Sequence, residues 1–147
     1  MAEQTFATHR RFVPAFHFVT VGILVINVIW QLFRLIRPLP GVPFFDRLLG
    51  VAVAVALGLL AWYARSFPLR AQDRIIRLEE TLRLERLLPA DLKSRIGELR
   101  TGQLIALRFA GDAELPELTR TVLDKGMRNQ DEIKKMVRSW RSDYLRM

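Results

Sequence analysis

The chain has 147 residues, a formal charge of +8, and half of its residues are hydrophobic. It contains no cysteine, which excludes disulfides, thiolate metal sites and thiol catalysis. Its two histidines, His9 and His17, are too few for an ordinary four-coordinate zinc site. The charge is not one basic stripe. Residues 1–68 hold six arginines against two acids, and residues 69–147 hold 17 basic against 13 acidic residues. Positive charge gathered around apolar runs suits anionic lipid headgroups better than a nucleic-acid footprint.

In chain order, the first element is "FVPAFHFVTVGILVINVIWQLFRLI" (12–36), uncharged up to Arg34. At 1.5 Å per residue, its stretch Phe16–Phe33 matches roughly 30 Å of hydrocarbon. It is too long for a signal-peptide core, and no small-residue cleavage site follows it. Its polar residues His17, Thr20, Asn27, Gln31 and Arg34 recur at alternating three- and four-residue steps, with Leu24 filling the gap. They therefore share one helix stripe. A polar stripe in lipid should face protein or water.

The segment "RPLPGVPFFDR" (37–47) holds three prolines and a glycine, the composition of a tight turn. The second apolar run, "LLGVAVAVALGLLAWYA" (48–64), ends in Trp62 and Tyr63. Alternating valine and alanine resembles a strand, but an open strand cannot satisfy its backbone in lipid, so a helix is expected. Gly50, Ala54, Gly58 and Ala61 make a small-residue face for close helix packing. The two runs form a transmembrane hairpin over 12–64, with spans about 14–36 and 45–65. Six arginines flank its terminal side (Arg10, Arg11, Arg65, Arg70, Arg74, Arg77) and three its loop side (Arg34, Arg37, Arg47). That asymmetry places both termini in the cytoplasm.

Proline at 68 disfavours helix at Phe67, so a break or kink is expected there. Residues 69–147 then read as a cytoplasmic helical domain. "QDRIIRLEETLRLERLL" (72–88) predicts a helix of about 20 residues with i,i+4 pairs Asp73–Arg77 and Glu79–Arg83. Its stripe of Ile75, Leu78 and Leu82 is a candidate partner surface. A helix lying flat on lipid keeps few acids, and this one has four, so pairing with protein is the better reading.

Four short helices follow by punctuation. Pro89 and Asp91 open the first, with Leu92, Ile96 and Leu99. Thr101 caps the second, which Gly111 ends. Asp112 caps the third, which carries Leu115, Leu118 and Val122 and stops at Gly126. Asn129 and Glu132 open the last in capping-box spacing. Its apolar face is Ile133, Met136, Val137, Trp140 and Tyr144, and Trp140 and Tyr144 extend the candidate partner surface. The fold class is thus all-α: a two-helix hairpin, an amphipathic helix and a small helical bundle.

The stretches "HRRFVPAFHF", "QDRIIRLEETLRLERLLP", "LRTGQLIALRFAGDAELPEL" and "IKKMVRSWRSDYLR" carry a resemblance that extends over nearly the whole chain. They resemble a family of short bacterial membrane proteins known only as a domain of unknown function. The resemblance implies a two-span inner-membrane protein with a helical cytoplasmic tail, and brings no activity, substrate or catalytic residue with it.

No catalytic grouping stands out, since residues 69–147 hold no histidine and their acids fit caps and pairs. The expected function is a membrane-anchored structural or interaction protein, an accessory subunit or self-assembling module without catalysis of its own. Its expected partners are membrane lipid and other membrane-protein subunits or copies of itself. No cofactor is expected. The alternative is a haem or chlorophyll-type pigment held by His17. A membrane-tethered nucleic-acid module is a further alternative, because "LRFAGDAELPEL" superficially resembles a helix-turn-helix. There, Glu114 and Glu117 at the start of the would-be reading helix carry the wrong sign for phosphate.

Overall fold

A computed structural model describes residue 6 and residues 13–37 and 39–143. Every regular element among them is helical. The chain divides into two compact units, one of Phe12–Pro68 and one that joins Leu69–Met147 with the N-terminal segment that holds Phe6.

The first unit begins with a π-helical turn, Ala15–Thr20, that runs directly into α1, Val21–Ile36. The wide turn leaves the Ala15 carbonyl to accept a hydrogen bond from Thr20 Oγ1 at 3.2 Å. His17 Nδ1 lies 2.9 Å from the Val13 carbonyl oxygen. Gly41, at φ +80°, supplies the left-handed step that turns the chain between the apolar helices.

The second helix, α2, spans Phe44–Leu87 and corrects the expected break: it runs through Pro68 without interruption. Proline removes one hydrogen bond, that of its missing N–H to the Ala64 carbonyl. Strong helix formers on both sides, Ala64 and Arg65 before it and Leu69 to Gln72 after it, override that local cost.

The apolar surfaces of both helices face outward. None of the most apolar 18-residue window of Ala15–Ile36 is buried, and only 6% of that of α2. Ile26 is 69% exposed and Leu60 64%. A core helix of a water-soluble protein would have these side chains covered. These two have the length and composition to cross a membrane.

The second unit packs the end of α2 against four short helices: α3 (Ala90–Lys93), α4 (Thr101–Leu107), α5 (Leu115–Asp124) and α6 (Gln130–Lys135). Its core is Leu84, Leu88 and Leu92 against Leu104, Leu107, Leu115, Val122 and Ile133, all at most 3% exposed. Each such side chain contributes about 1.5–3 kcal/mol by leaving water. Gly126, at φ +58°, ends α5, and the Met127 N–H turns back to the Val122 carbonyl at 3.0 Å. Asn129 caps α6 by accepting from the Asp131 N–H at 2.9 Å.

Several expectations for this unit are corrected. The Leu92–Ile96–Leu99 helix is instead α3 followed by a separate 3-10 turn, Ile96–Glu98. The cap of α4 is Arg100, whose N–H donates to Gln103 Oε1 at 2.7 Å, not Thr101. The residue preceding α5 is Glu114, and Asp112 is engaged by Arg83 instead. The last helix stops at Lys135, and the chain beyond it turns at Met136 and bends at 138–139. There Trp140 pairs with Ala110 in an isolated antiparallel bridge, and the Arg141 N–H donates to the Phe109 carbonyl at 2.7 Å. Helical spacing from Ile133 to Trp140 therefore does not continue the helix beyond Lys135. Neither expected i,i+4 pair on α2 forms: no ion pair joins Asp73 to Arg77, and Arg83 turns to Glu80 and Asp112.

Candidate functional site

Three places gather the polar and apolar groups that could act: the seam of the hairpin, a buried charge cluster in the helical domain, and the outer face of α2.

In the seam, the stripe of α1 meets the small-residue face of α2. A Cβ built on Gly50 would lie 2.8 Å from Gln31 Oε1, so the glycine is what lets the amide approach. Ala54, 2% exposed, lies beside it. Asn27, Gln31, Asp46, Gly50 and Ala54 line a pocket of about 340 Å³. Asn27 Oδ1 is inaccessible to solvent and has no hydrogen-bond partner among the described residues.

Further along, His17, Leu24, Gly58, Ala61, Trp62 and Arg65 border an apolar groove of about 590 Å³. A Cβ on Gly58 would meet nothing within 4 Å, so the groove is open at that point. Of the remaining stripe residues, Thr20 is exposed and turned to its own backbone, and Arg34 is half-buried with Nε unpartnered among the described residues.

The charge cluster was not legible in the sequence. Arg83, only 6% exposed, uses all five of its N–H groups. Nε and Nη2 donate to Asp112 Oδ1 at 2.9 and 2.6 Å, and Nη1 donates to Glu80 Oε2 at 3.1 Å. Nη2 also reaches the Ala110 carbonyl at 2.6 Å, and Nη1 the Arg108 carbonyl at 3.4 Å. Arg141 adds a second cation 3.5 Å from Glu80 Oε1.

Burial pushes the Glu80 carboxyl above its ordinary range, and the neighbouring arginines, Arg83 first, oppose that. The hydrogen bond from Arg83 holds Asp112 below the ordinary aspartate range. Arg108 lies over the Phe109 ring at 4.5 Å and pairs with Asp143 at 3.4 Å. Phe109 stacks on Trp140 with centroids 4.6 Å apart.

Two further ion pairs, Arg120–Asp91 and Arg95–Asp124, share the 29-residue separation of Arg83–Asp112. A constant offset means that residues 83–95 and 112–124 run alongside each other in the same direction. Glu114 completes the bracing. Its carboxylate accepts from the backbone N–H groups of Gly111, Ser139 and Arg138 at 3.0–3.2 Å. Gly111 is required here, because a Cβ would meet Ser139 Oγ at 2.9 Å. The only sequence signals for this network are an acid–arginine step at 80 and 83 and an Asp in a turn. Neither reveals a partner 29 residues away.

The face of α2 turned to the bundle is Ile76, Glu80, Arg83 and Leu84, all buried, and Leu88 just after the helix continues it. Ile75, Leu78 and Leu82 are 56%, 62% and 58% exposed. Trp140 is half-buried and engaged inward with Phe109, and Tyr144 lies outside the described residues. Among the described residues no three of His, Cys, Asp and Glu cluster to hold a metal.

These features define an all-α protein of two apolar helices and a capped helical domain. The chain belongs to a family of unknown function, DUF6526, whose model matches residues 1–147. No curated protein and no solved structure matches it.

Proposed function

We propose that this protein is a membrane-anchored interaction protein. It crosses a bacterial inner membrane twice, holds its helical domain in the cytoplasm, and serves as an accessory subunit or self-assembling module with no catalysis of its own. The observation that carries the reading is the pairing of two opposite surfaces. The apolar helices expose their side chains around most of their circumference, whereas the second unit is internally braced, and among its described residues the exposed large apolar side chains are Ile75, Leu78 and Leu82. Lipid is the solvent that makes the first arrangement stable.

A shared side for both termini is supported by Lys135, whose Nζ lies 5.7 Å from the Phe6 ring. Phe6 precedes the first apolar helix and Lys135 follows the second, which fits an even number of crossings. The arginine asymmetry at the hairpin ends favours the cytoplasm for that side.

Extraction of the full chain from native membranes in mild detergent, with mass analysis of what accompanies it, tests the reading. A stoichiometric assembly, of copies or of other subunits, is expected. A chain that leaves the membrane at alkaline pH without detergent would end it.

One observation favours a second reading, a cofactor-holding subunit. His17 borders the larger groove, which has the volume of a ligand site. A visible absorbance band lost in His17→Ala would establish it, and a colourless preparation from the native host would remove it.

A further inference from the structure

Ile75, Leu78 and Leu82 are hard to explain within one copy. At about 100° per residue they sit on roughly the opposite side of α2 from Ile76, Glu80, Arg83 and Leu84. The bundle therefore cannot cover them, and all three remain more than half exposed. Such a run is an interaction surface or a liability.

We propose that this stripe is the seam of a parallel two-stranded pairing of α2 with α2 of a second copy of the same chain. The proposal rests on the membrane anchoring described above, and three observations fix the occupant.

The first is the period. Ala71, Ile75, Leu78 and Leu82 follow steps of four, three and four, the a/d pattern of a coiled coil. Ile75 falls at a and Leu78 at d, the combination that favours two strands.

The second is charge. In this register Arg74 occupies g and Glu79 the following e. Parallel pairing places each Arg74 beside Glu79 of the other copy, twice by symmetry. Both side chains are exposed and neither has an ion pair among the described residues. The flanking e and g positions, Gln72, Arg74, Glu79, Thr81 and Arg86, mix both signs with neutral residues, which suits a copy of itself better than an anionic lipid surface, and the seam ends at Leu82 because Glu85 takes the next d position.

The third is direction. Two copies anchored alike in one membrane send α2 out the same way, so the pairing they can form is parallel. The seam is short, and in free solution it would be weak. Confinement to a membrane raises the effective concentration and lets a short seam suffice.

The absence of cysteine makes the test clean. Leu78→Cys and, separately, Arg77→Cys are placed in the otherwise cysteine-free full chain and oxidised mildly in native membranes. In a parallel in-register seam Leu78 meets its own counterpart, whereas Arg77 points away. The expected result is several-fold more disulfide-linked dimer for Leu78→Cys. Arg74→Glu in the Leu78→Cys chain should lower that yield, and Arg74→Glu with Glu79→Arg should restore it.

Equal linking at the two sites, or linking that ignores the charge exchange, overturns the proposal. So does a Leu78→Cys chain that stays monomeric in the membrane, whether its stripe is covered by lipid or by another protein. That last result leaves the anchored reading standing. A chain absent from the membrane fraction defeats the anchored reading itself.

Discussion

Arg83 shows how one buried side chain fixes the packing of the helical domain. Its five donors tie α2 to the turn after α4, and its neutralising partners differ sharply in exposure, Glu80 at 7% and Asp112 at 59% for the side chain. Removing the guanidinium strands a buried carboxylate, so Arg83→Met should destabilise the domain by about 3–5 kcal/mol. The double variant Arg83→Met with Glu80→Leu should recover most of that loss. Thermal unfolding of the detergent-solubilised chain checks both.

The two acids pull stability in opposite directions with pH. Burial raises Glu80, so the fold favours its protonated form. That contribution is fully present below the ordinary glutamate range and is lost as pH rises through the raised value. Asp112 is lowered, so its contribution is present above the ordinary aspartate range and is lost as pH falls through the lowered value. In Glu80→Gln, unfolding followed from about pH 2 to about pH 8 should lose the decline toward neutral pH and keep the acid loss. An unchanged profile would show that Glu80 is not the group responsible.

At the scale of elements, the hairpin seam and the C-terminal strap carry the argument. Gly50 and Gly58 look alike in sequence, as members of one small-residue face, yet the structure separates them. Gly50 abuts Gln31, and Gly58 opens on a groove. Gly50→Leu should therefore destabilise the hairpin by about 1–3 kcal/mol, with relief from an added Gln31→Ala, whereas Gly58→Leu should cost nothing measurable. Helix separation in detergent, read by resistance to thermal unfolding, distinguishes the two. The strap is anchored by aromatic stacking, and Phe109, 1% exposed, is its fixed partner. Phe109→Ala should cost about 3–5 kcal/mol and free residues 137–143 to exchange their amide hydrogens.

These elements also mark where the sequence was readable. The apolar runs, the proline-rich turn and the caps at Gly126 and Asn129 are local signals, and each has a local cause. Pro68 predicts a break or a kink, and the helix has no break there, because one lost hydrogen bond competes with many favourable neighbours on either side. The strap at 137–143 was read as helix because Ile133, Met136, Val137 and Trp140 keep helical spacing. Their packing on α4 and Phe109 decided the conformation instead. The side of α2 that packs on the bundle is not legible in the sequence: the apolar period marks Ile75, Leu78 and Leu82, which stay exposed, whereas Ile76, Glu80, Arg83 and Leu84 are buried. Arginine at 83 hid the true inner face, since an unpaired charge belongs on the surface and only a partner 29 residues away makes its burial tolerable.

For the whole molecule, the two units follow different rules of solvation. Residues 13–68 keep their apolar side chains outside, and residues 69–143 bury theirs around Leu84, Leu107 and Ile133. A single chain that does both is stable where two solvents meet. The most direct test uses single cysteines in the cysteine-free chain, one at Val42 in the turn and one at Ser94 in the helical domain, with a membrane-impermeant thiol reagent on intact cells. The account predicts labelling of Val42→Cys from outside and of Ser94→Cys only after the cells are opened, with both proteins retained in the membrane at alkaline pH. Release of the chain into the soluble fraction without detergent, or equal labelling of both positions in intact cells, would contradict it.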